Sequence, residues 1–588
     1  MPRMAILLLL ASLTATASAE RPNVILVMAD DQGYGDIKAH GHPFIRTPNM
    51  DKLYGESVRF TDFHVAPMCT PTRAQLLTGV DAMKSGATAV CQGRSMIRRE
   101  IPTLANYFGD AGYKTILSGK WHLGDSYPHR PQDRGFQEVL SFRAWGLPSL
   151  ASHWANSFIN EEEPSDSYHD PVLAHNGEDK RYKGYVTDIF FDHAIEQMDA
   201  CKKAGEPFFL YLPTPTPHTP NIAPREKLPY YERIKKERKV DLRSDYYGMI
   251  ENIDDNLGRL EGFLAKRGLK ENTILLYLSD NGTQCSRAAA IHNAGMRGKK
   301  TEVWEGGHRV PLFVRWPAGE LKHGTDAKEL TQAQDICPTL LNLCGIKPDD
   351  LYTQSGHDLT PLLKGRAWPH ANRTLFVQYR TGGTAWNYAV AMQGPWRLVS
   401  GKGLYNIAED PGQKRDVRTE YPERFQNMTS AYDAWFKDAR REFLKTRYIG
   451  LGHPESPSTV LYASDWEGSY CDNPAGLKAS RGKGRWHVDV IRAGRYRIEL
   501  ARWPFESGKS LTEGVNPNGN KPADGARPIA KGSLSIGDQK VEMDAEKGDR
   551  FLSFEVDLAA GRQVLKTMFR SADGKELCSA NYVRVTRF

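Results

Sequence analysis

Cys69 lies at the start of a predicted helix, within the pentapeptide Cys-Thr-Pro-Thr-Arg at residues 69–73. Thr70 can cap a helix, Pro71 suits the first turn, where no amide proton is required, and Gly79 can end the helix in the left-handed conformation. Backbone amides and the helix dipole favour negative charge at this end. A charged nucleophile or an anionic substrate would therefore be stabilised here, although a lone cysteine is more often a buried packing residue.

Four side chains that carry oxygen atoms follow two predicted buried strands. Asp30 and Asp31 end one unbroken apolar run, and Asp280 and Asn281 end another. In open α/β sheets, ligands bind at the carboxyl ends of the strands. Carboxylate and amide oxygens suit a hard cation and argue against zinc or copper, so these residues indicate one metal site. A pair of polar turns is the alternative interpretation.

The elements that must position these residues alternate between strand and helix. The apolar runs and periodicities predict strands over 24–29, 114–117, 208–212 and 273–279, and helices over 49–56, 101–111, 184–202 and 245–266. A proline-rich loop at 213–220 carries His218. This alternation predicts a doubly wound α/β domain.

Residues 125–183 interrupt the alternation with a stretch that has no predicted regular structure. Long irregular insertions are often functional, and aromatic faces beside polar groups suit sugar rings, but a packed surface loop is an equal alternative. The candidate binding residues in this stretch are His129, Arg130, Arg134, Phe142, Arg143, Trp145, His153 and Trp154.

Two long motifs resemble the signatures of a known enzyme family. Cys-x-Pro-x-Arg at residues 69–73, together with the Leu-Leu-Thr-Gly that follows, resembles the first signature of the arylsulfatases, and Gly-Tyr-Lys-Thr-Ile-Leu-Ser-Gly-Lys-Trp-His at 112–122 resembles the second. Segments 355–363 and 404–411 extend the resemblance to about residue 447. It implies a formylglycine-dependent sulfatase with an alkaline-phosphatase-like doubly wound sheet domain and a small C-terminal α+β subdomain.

The resemblance also implies the cofactors. Cys69 corresponds to the cysteine that a formylglycine-generating enzyme oxidises to an aldehyde, and one hydroxyl of the hydrated aldehyde attacks sulfur while the second is used to expel sulfate. Asp30, Asp31, Asp280 and Asn281, together with position 69, correspond to the residues that hold one Ca²⁺.

The resemblance implies further roles. Arg73 would orient the hydrated aldehyde, Lys120 would hold sulfate, and Asp280 would assist deprotonation of the attacking hydroxyl. His122 would drive the expulsion of sulfate, and His218 would protonate the leaving alcohol.

A second sulfate-holding lysine is implied at Lys300, which would also assist His218. Its neighbour Lys299 is the competing candidate. Lys300 is preferred because it has the spacing of the family pattern Lys-x4-Glu-Gly-Gly, which ends here in Glu305-Gly306-Gly307.

Beyond the resemblance, the periodicity of the sequence changes to two. Alternating runs at 486–490, 496–500, 554–558 and 582–585 predict an all-β, sandwich-like module that either binds carbohydrate or only packs, and residues 450–458 predict a linker. The expected domains are a catalytic α/β domain (20–370), a small C-terminal subdomain (371–449) and the β module (450–588).

Composition constrains location and partners. Residues 1–19 are typical of a secretory signal peptide, which predicts a periplasmic or extracellular protein, and their apolar run is shorter than the ~20 residues of a membrane span.

The net charge of +7 suits anionic substrates without indicating nucleic acid. The eight cysteines show no spacing typical of a zinc site or a disulfide scaffold.

The sequence thus predicts a sulfatase that acts on sulfate monoesters of a small sulfated substrate, a saccharide or polysaccharide. A phosphatase on the same scaffold would be expected to carry a Ser or Thr nucleophile and His ligands for paired zinc, so position 69 argues against it. A formylglycine-dependent phosphonate or phosphate ester hydrolase stays open, as does a non-catalytic glycan-binding protein.

Overall fold

A mixed sheet of ten strands forms the centre of the protein, with five parallel strands in its middle. The computed structural model describes residues 21–158, 166–348, 352, 354–380, 383–479, 481–515 and 525–588. In spatial order the strands are Asp326–Ala327, Val58–Phe60, Leu312–Arg315, Thr273–Ser279, Asn23–Ala29, Phe208–Pro213, Lys114–Lys120, Glu138–Phe142, Val172–His175 and Glu178–Arg181. The two strands that end in the candidate metal ligands are therefore direct neighbours.

Helices cover both faces of this sheet. Along the strand Asn23–Ala29, Val24, Leu26 and Met28 pack into one core cluster, while Ile25 and Val27 pack into the other. The first cluster includes residues of the helices Cys69–Thr78, Leu104–Asp110 and Ile336–Leu343; the second includes residues of Pro48–Gly55, Val186–Ala204, Leu228–Arg238 and Ser244–Lys266. Because the strand is buried on both faces, an unbroken apolar run is what its position requires. The doubly wound α/β domain is confirmed.

The helix that carries Cys69 begins at Cys69 itself and ends at Thr78. Met68 precedes it without a side-chain cap, and the Thr70 hydroxyl donates instead to the backbone oxygen of His122 at 3.3 Å. The prediction that Thr70 caps the helix is therefore wrong, because its hydroxyl finds a tertiary acceptor. Gly79 does end the helix, with φ of 71°.

The expectation of no regular structure over residues 125–183 is also wrong in part. The strand Glu138–Phe142 joins the sheet beside Lys114–Lys120, and Val172–His175 and Glu178–Arg181 form an antiparallel hairpin next to it. These strands are short, and Glu138–Phe142 and Glu178–Arg181 contain charged residues, so they lack the long apolar run that predicts the central strands. The stretch between Phe142 and Ala155 has no strand or helix.

A second, smaller sheet follows the doubly wound α/β domain. Its four antiparallel strands are Thr374–Gln378, Ala389–Gln393, Trp396–Val399 and Gly403–Asn406. The helix Pro422–Phe443 packs on it, with Met428 and Tyr432 in the same core cluster as Leu398 and Leu404. This is the predicted α+β subdomain.

Shorter elements complete the two α/β parts. Phe63–His64 pairs with Thr331–Gln332. The remaining short α-helices are Ala82–Ser85, Ala155–Phe158, Ser286–Ile291, Glu305–His308, Thr360–Leu363 and, in the C-terminal part, Pro474–Ala479. Single 3₁₀ turns lie at Lys38–His40, Pro131–Arg134, Arg225–Lys227, Pro317–Gly319, Ala333–Asp335, Ala463–Asp465 and Phe505–Ser507.

The C-terminal part contains two sheets that share one core, as the alternating pattern predicted. The larger sheet contains Ile449–Leu451, Gly484–Val490, Gly561–Arg570, Lys531–Ile536 and Gln539–Asp544, with Glu467–Gly468 and Glu576–Cys578 at its sides; the smaller contains Ser458–Tyr462, Tyr582–Arg587, Gly494–Ala501 and Phe551–Leu558. We call this part, from Ile449 onward, the β module.

The prediction of a linker over residues 450–458 is wrong. Ile449–Leu451 is a buried strand that pairs in parallel with Val488–Val490, and the Gly450 N–H donates to the Tyr127 oxygen at 2.8 Å. Glycine and proline in this segment therefore mark the place where the chain joins a sheet rather than a free connection. The domain limits proposed at residues 370 and 449 stay predictions.

The β module packs directly against the irregular stretch after Phe142. Leu150 lies in the core cluster of the module, and the Tyr582 hydroxyl donates to the Leu150 oxygen at 2.8 Å. The indole N–H of Trp145 donates to the Asp472 oxygen of the module at 2.9 Å. The module thus fixes a loop that belongs to the doubly wound α/β domain.

Candidate active site

The candidate metal ligands meet at the carboxyl edge of two parallel strands. Ala29 lies opposite Ser279 in the register of these strands, so Asp30 and Asp31 come next to Asp280 and Asn281. The Asp31 N–H donates to Asp280 Oδ1 at 3.0 Å, and Asp31 adopts φ of 71°. All four side chains are buried. The structure therefore brings together the four residues that the sequence singled out.

Each of the three buried carboxylates faces its own cation. Lys120 Nζ lies 2.5 Å from Asp30 Oδ2, Lys300 Nζ lies 2.7 Å from Asp31 Oδ2, and Arg73 Nη2 lies 2.7 Å from Asp280 Oδ2. Buried charges require such partners, because an isolated charge loses its hydration without compensation. The arrangement is a compact, charge-balanced cluster of alternating sign.

Arg73 is also fixed from its other side. Its Nη1 donates to the Lys120 oxygen at 3.1 Å and to the Tyr211 hydroxyl at 3.4 Å. Tyr211 belongs to the strand Phe208–Pro213, and sequence reasoning did not select it as a site residue. A tyrosine within an apolar strand gives no signal of such a role.

Cys69 lies beside His122. Its Sγ is 3.3 Å from His122 Nδ1, and His122 Nε2 is 3.2 Å from the Val90 oxygen. A carbonyl only accepts, so the ring proton lies on Nε2, and Nδ1 is left to accept from position 69. His122 adopts φ of 56°, in the left-handed region.

Burial dominates the electrostatics of both groups. It raises the pKa of the Cys69 thiol, although Lys120 and Lys300 oppose the shift. The helix start therefore does not yield a charged thiolate, contrary to the expectation for an unmodified cysteine. Burial, together with Lys120 and Arg73, holds the pKa of His122 well below its usual value, so the imidazole is neutral.

His218 lies on the other side of the cluster, in the loop after Phe208–Pro213. Its Nδ1 donates to the Thr219 oxygen at 2.7 Å, and its Nε2 lies 3.5 Å from Asp31 Oδ2. The ring of Trp145 lies 5.2 Å from the His218 ring. Burial and Lys300 hold the pKa of His218 well below its usual value, while Asp31 opposes the shift.

Two buried oxygens in the cluster lack hydrogen-bond partners within the described part of the chain. They are Asp30 Oδ1 and Asn281 Oδ1. The Asn281 amide group is oriented by donation to Asp31 Oδ1 at 2.6 Å and to the Gly282 oxygen at 2.9 Å. Buried polar atoms normally have partners, so two unpaired oxygens in an all-oxygen donor set fit a hard cation such as Ca²⁺.

Asp280 belongs to the same set. Burial and the neighbouring Asp30 raise its pKa to about 6, against the opposing effects of Arg73 and Lys120. A cation bound to this carboxylate would favour its ionised form.

Gln284 is a further residue of the site that sequence reasoning missed. In the amide orientation that satisfies both neighbours, its NH₂ donates to Asp31 Oδ2 at 2.8 Å and its oxygen accepts from the Thr219 N–H at 2.5 Å. It therefore links the metal-ligand candidate to the loop of His218. Its only signal in the sequence is its closeness to Asp280.

The insertion residues divide into different roles. Trp145 lies against His218, whereas His129 contacts the Tyr448 oxygen and Arg134 donates to the Arg99 oxygen. Arg143 pairs with Asp179 at 3.0 Å. Among these four, Trp145 is the one that contacts the proposed catalytic set, and the other three hold the surrounding structure together.

None of the helices within the described residues has both the length and the apolar character needed to cross a membrane. The signal-peptide prediction concerns residues 1–19, which lie outside the described part of the chain.

Two protein-family models match the chain. The model described as Sulfatase covers residues 22–346, and the model described as N-sulphoglucosamine sulphohydrolase, C-terminal, covers residues 297–421. The second match overlaps the small subdomain and ends before the β module.

Known proteins show the same relationship. Human arylsulfatase A is 32% identical over 386 residues, which cover 61% of this chain and 71% of that protein. Mouse N-acetylgalactosamine-6-sulfatase is 30% identical over 382 residues, 60% of this chain and 68% of that protein. The crystal structure of Ps i-CgsB in complex with k-i-k-neocarrahexaose superimposes with a TM-score of 0.64 at 27% identity, covering 73% of this chain and 95% of that one.

Proposed function

Because the chain belongs to the sulfatase family and is a sulfuric ester hydrolase with the alkaline-phosphatase-like fold, we propose that it removes sulfate from a sulfated saccharide. The observation that carries the proposal is the group of three cations, the buried Arg73 and Lys120 and the partly buried Lys300, which lies near Cys69 at a helix start. A saccharide substrate is supported by the neocarrahexaose complex of Ps i-CgsB and by the name of the mouse relative.

We propose that Cys69 is converted to formylglycine by a formylglycine-generating enzyme. The hydrated aldehyde would supply an oxygen nucleophile for sulfur. The raised pKa of the buried thiol supports this, because an unmodified Cys69 would remain protonated and weakly nucleophilic. His122 Nδ1, at 3.3 Å from Sγ, is positioned to take a proton from a hydroxyl at position 69.

Asp30, Asp31, Asp280 and Asn281 would hold one Ca²⁺, with position 69 completing the set. The ion would supply positive charge to polarise the oxygens of the ester. Because the three carboxylates are already balanced by three cations, the charge of the ion would be left to attract an anionic group. Lys120 and Lys300 would hold the remaining sulfate oxygens, and Arg73 would orient position 69.

His218 would protonate the leaving alcohol. Its Nδ1 proton is committed to the Thr219 oxygen, so the Nε2 side must carry the transferred proton. The bound ester brings negative charge next to the ring and thereby favours the protonated form. Trp145 would form one wall of the substrate site beside this histidine.

Mass spectrometry and enzyme assays test the proposal directly. Protein made together with a formylglycine-generating enzyme should show the aldehyde at position 69, contain about one calcium per chain, and hydrolyse an aryl sulfate and a sulfated monosaccharide faster than an aryl phosphonate. Active protein with an unmodified thiol, or with stoichiometric zinc at the aspartate cluster, would contradict the assignment. Preference for the phosphonate would favour the alternative hydrolase.

The two histidines can be separated by brief exposure to substrate. His122→Ala should gain the mass of a sulfate group, because attack remains possible while release stalls. His218→Ala should gain none and should be slower on alkyl than on aryl sulfates, because a poor leaving group needs the proton more. The reverse pattern would show that the two roles are exchanged.

We also propose that the protein is exported after cleavage behind residue 19, to the periplasm or outside the cell, and that its domains are 20–370, 371–449 and 450–588. The core cluster that joins the two sheets of the β module supports a boundary near the last limit, with the strand Ile449–Leu451 on the module's side of it. Amino-terminal sequencing of secreted protein and limited proteolysis test these two statements.

A further inference from the structure

A second group of potential metal ligands lies away from the active site. Glu138 begins the strand Glu138–Phe142, His175 ends the strand Val172–His175, and His193 lies in the helix Val186–Ala204. His175 Nε2 lies 2.8 Å and His193 Nε2 lies 3.2 Å from the same Oε1 atom of Glu138. Three elements therefore converge on one point with two imidazoles and one carboxylate.

The hydrogen bonds behind His193 fix its tautomer. The Ser118 hydroxyl donates to the Phe190 oxygen at 2.8 Å, so the proton of the hydroxyl is already used. Ser118 Oγ can then only accept from His193 Nδ1, which lies 3.1 Å away. With the ring proton on Nδ1, the lone pair of Nε2 faces the Glu138 carboxylate. Two acceptors in contact require a cation between them, which is either a metal ion or a second proton on the ring.

The other ligand candidates are oriented in a similar way. His175 Nδ1 is 2.9 Å from the Tyr182 hydroxyl, and the Asn176 amide donates to Glu138 Oε1 at 3.3 Å and to Oε2 at 3.2 Å. Metal-binding histidines characteristically have such a partner on the second nitrogen, and ligating carboxylates are hydrogen-bonded in turn. The group therefore has the outer shell of a metal site as well as the ligands.

We propose that Glu138, His175 and His193 bind one Zn²⁺ ion. Two imidazole nitrogens and one carboxylate oxygen are a donor set suited to zinc and unlike the all-oxygen cluster at the active site. The three ligand atoms lie within 4.8 Å of one another. Small movements of the side chains would place all three at about 2.0–2.2 Å from one zinc ion. The side chains of His175 and Glu138 are 28% and 15% exposed, so an ion can enter and a water can take the fourth position.

The zinc site is separate from the proposed calcium site. Glu138 pairs with Ile116 in the sheet, whereas Lys120 lies four residues further along the same strand, a distance of roughly 13 Å at about 3.3 Å per residue. The ion would tie the hairpin Val172–Arg181 and the helix of His193 to the sheet. Its role would be structural, holding the outer side of the sheet in place.

Calorimetry with Zn²⁺ tests the proposal, using the full-length, tag-free enzyme saturated with Ca²⁺. Wild-type protein should bind one Zn²⁺. His175→Gln and His193→Gln should each weaken this binding by at least roughly 100-fold, since loss of an outer-shell partner alone costs about 10–100-fold. His169→Gln is the matched control, because His169 also pairs with a carboxylate, Asp166 at 2.9 Å, but contributes to no cluster of three ligands among the described residues.

Thermal unfolding supplies an independent readout. Zn²⁺ should raise the melting temperature of wild type and His169→Gln, and leave His175→Gln and His193→Gln unchanged. Absence of Zn²⁺ binding to the wild-type protein would overturn the proposal. The positive charge between His193 and Glu138 would then be a second proton on the His193 ring. Zinc binding that survives both substitutions at full affinity would overturn it as well, by locating the ion elsewhere.

Discussion

The active-site cluster and the contact between the β module and the catalytic part both bury carboxylates, but they neutralise them differently. In the active site, Asp30, Asp31 and Asp280 each contact a lysine or arginine. In the module contact, Asp465 is buried near Asp125, and one of its oxygens has no hydrogen-bond partner among the described residues. Charges are thus kept where an anionic ester must be bound, and are removed by a proton where two parts of the chain only pack.

The pKa values follow this difference. Burial and Asp125 raise the pKa of Asp465 to about 8, against weaker opposition from hydrogen bonds such as that of the Ser95 hydroxyl. Burial raises the pKa of Asp125 to about 6. Within the described ranges, no lysine or arginine is among the main groups that shift the pKa of Asp465. Burial of the protonated carboxyl therefore requires less free energy than burial of the carboxylate.

The largest expected effect comes from breaking one of the charge pairs in the active site. Arg73→Met leaves Asp280 buried without its ion-pair partner, and the free energy of unfolding should fall by about 3–5 kcal/mol, with activity lost. Chemical denaturation and an aryl sulfate assay measure both. Arg98→Met is the control, because its partner Glu442 is partly exposed and can be hydrated. Equal stability losses in the two variants would contradict the distinction.

A smaller effect is expected from Lys300, whose charge would bind sulfate. Lys300→Ala should lower kcat/KM by about 10²–10³, the usual cost of losing one group that stabilises developing charge. Lys299→Ala should change it by less than roughly threefold, a difference below 1 kcal/mol. Steady-state kinetics on one sulfated substrate decide between them. A larger loss at Lys299 would move the assignment to that residue.

The burial of Asp465 between the β module and the catalytic part predicts how the stability of the protein changes with pH. The pKa of Asp465 is higher in the folded protein than the ordinary value of 3.8, so the folded state binds the proton more tightly. Its contribution to stability is complete below pH 3.8 and is lost as the pH rises through about 8. Asp465→Asn should therefore stabilise the protein at pH 8 and have little effect near pH 4. Melting temperatures of the two proteins across this range test the sign, and a variant that is less stable at pH 8 would refute it.

The smallest effect concerns the residue that connects the two regions. Trp145→Phe keeps an aromatic ring near His218 but removes the N–H that donates to the Asp472 oxygen. We expect stability to fall by about 0.5–1.5 kcal/mol and kcat/KM for a saccharide sulfate to fall by up to about tenfold. Trp154→Phe, whose ring packs on Trp503 of the module, is the matched control and should affect stability without that kinetic loss.

Much of the active site could be predicted from sequence because its residues lie in local patterns. Asp30, Asp31, Asp280 and Asn281 each follow an apolar run, and the end of a buried strand is visible in the sequence without knowledge of its neighbours. The motif around Cys69 and the segment ending in His122 carry the family resemblance in the same local way. These features needed only the identity and spacing of adjacent residues.

Tertiary structure decided the features that depend on pairing between distant segments. The sequence did not select Tyr211 or Gln284, because their partners Arg73 and Asp31 lie far away along the chain. It did not separate Trp145 from the other aromatic residues of its insertion, since the β module that fixes this side chain begins some three hundred residues later. The predictions for Thr70 and for residues 450–458 are wrong for the same reason. A hydroxyl or a glycine-rich segment takes the partner that folding brings close, and periodicity within one segment does not identify that partner.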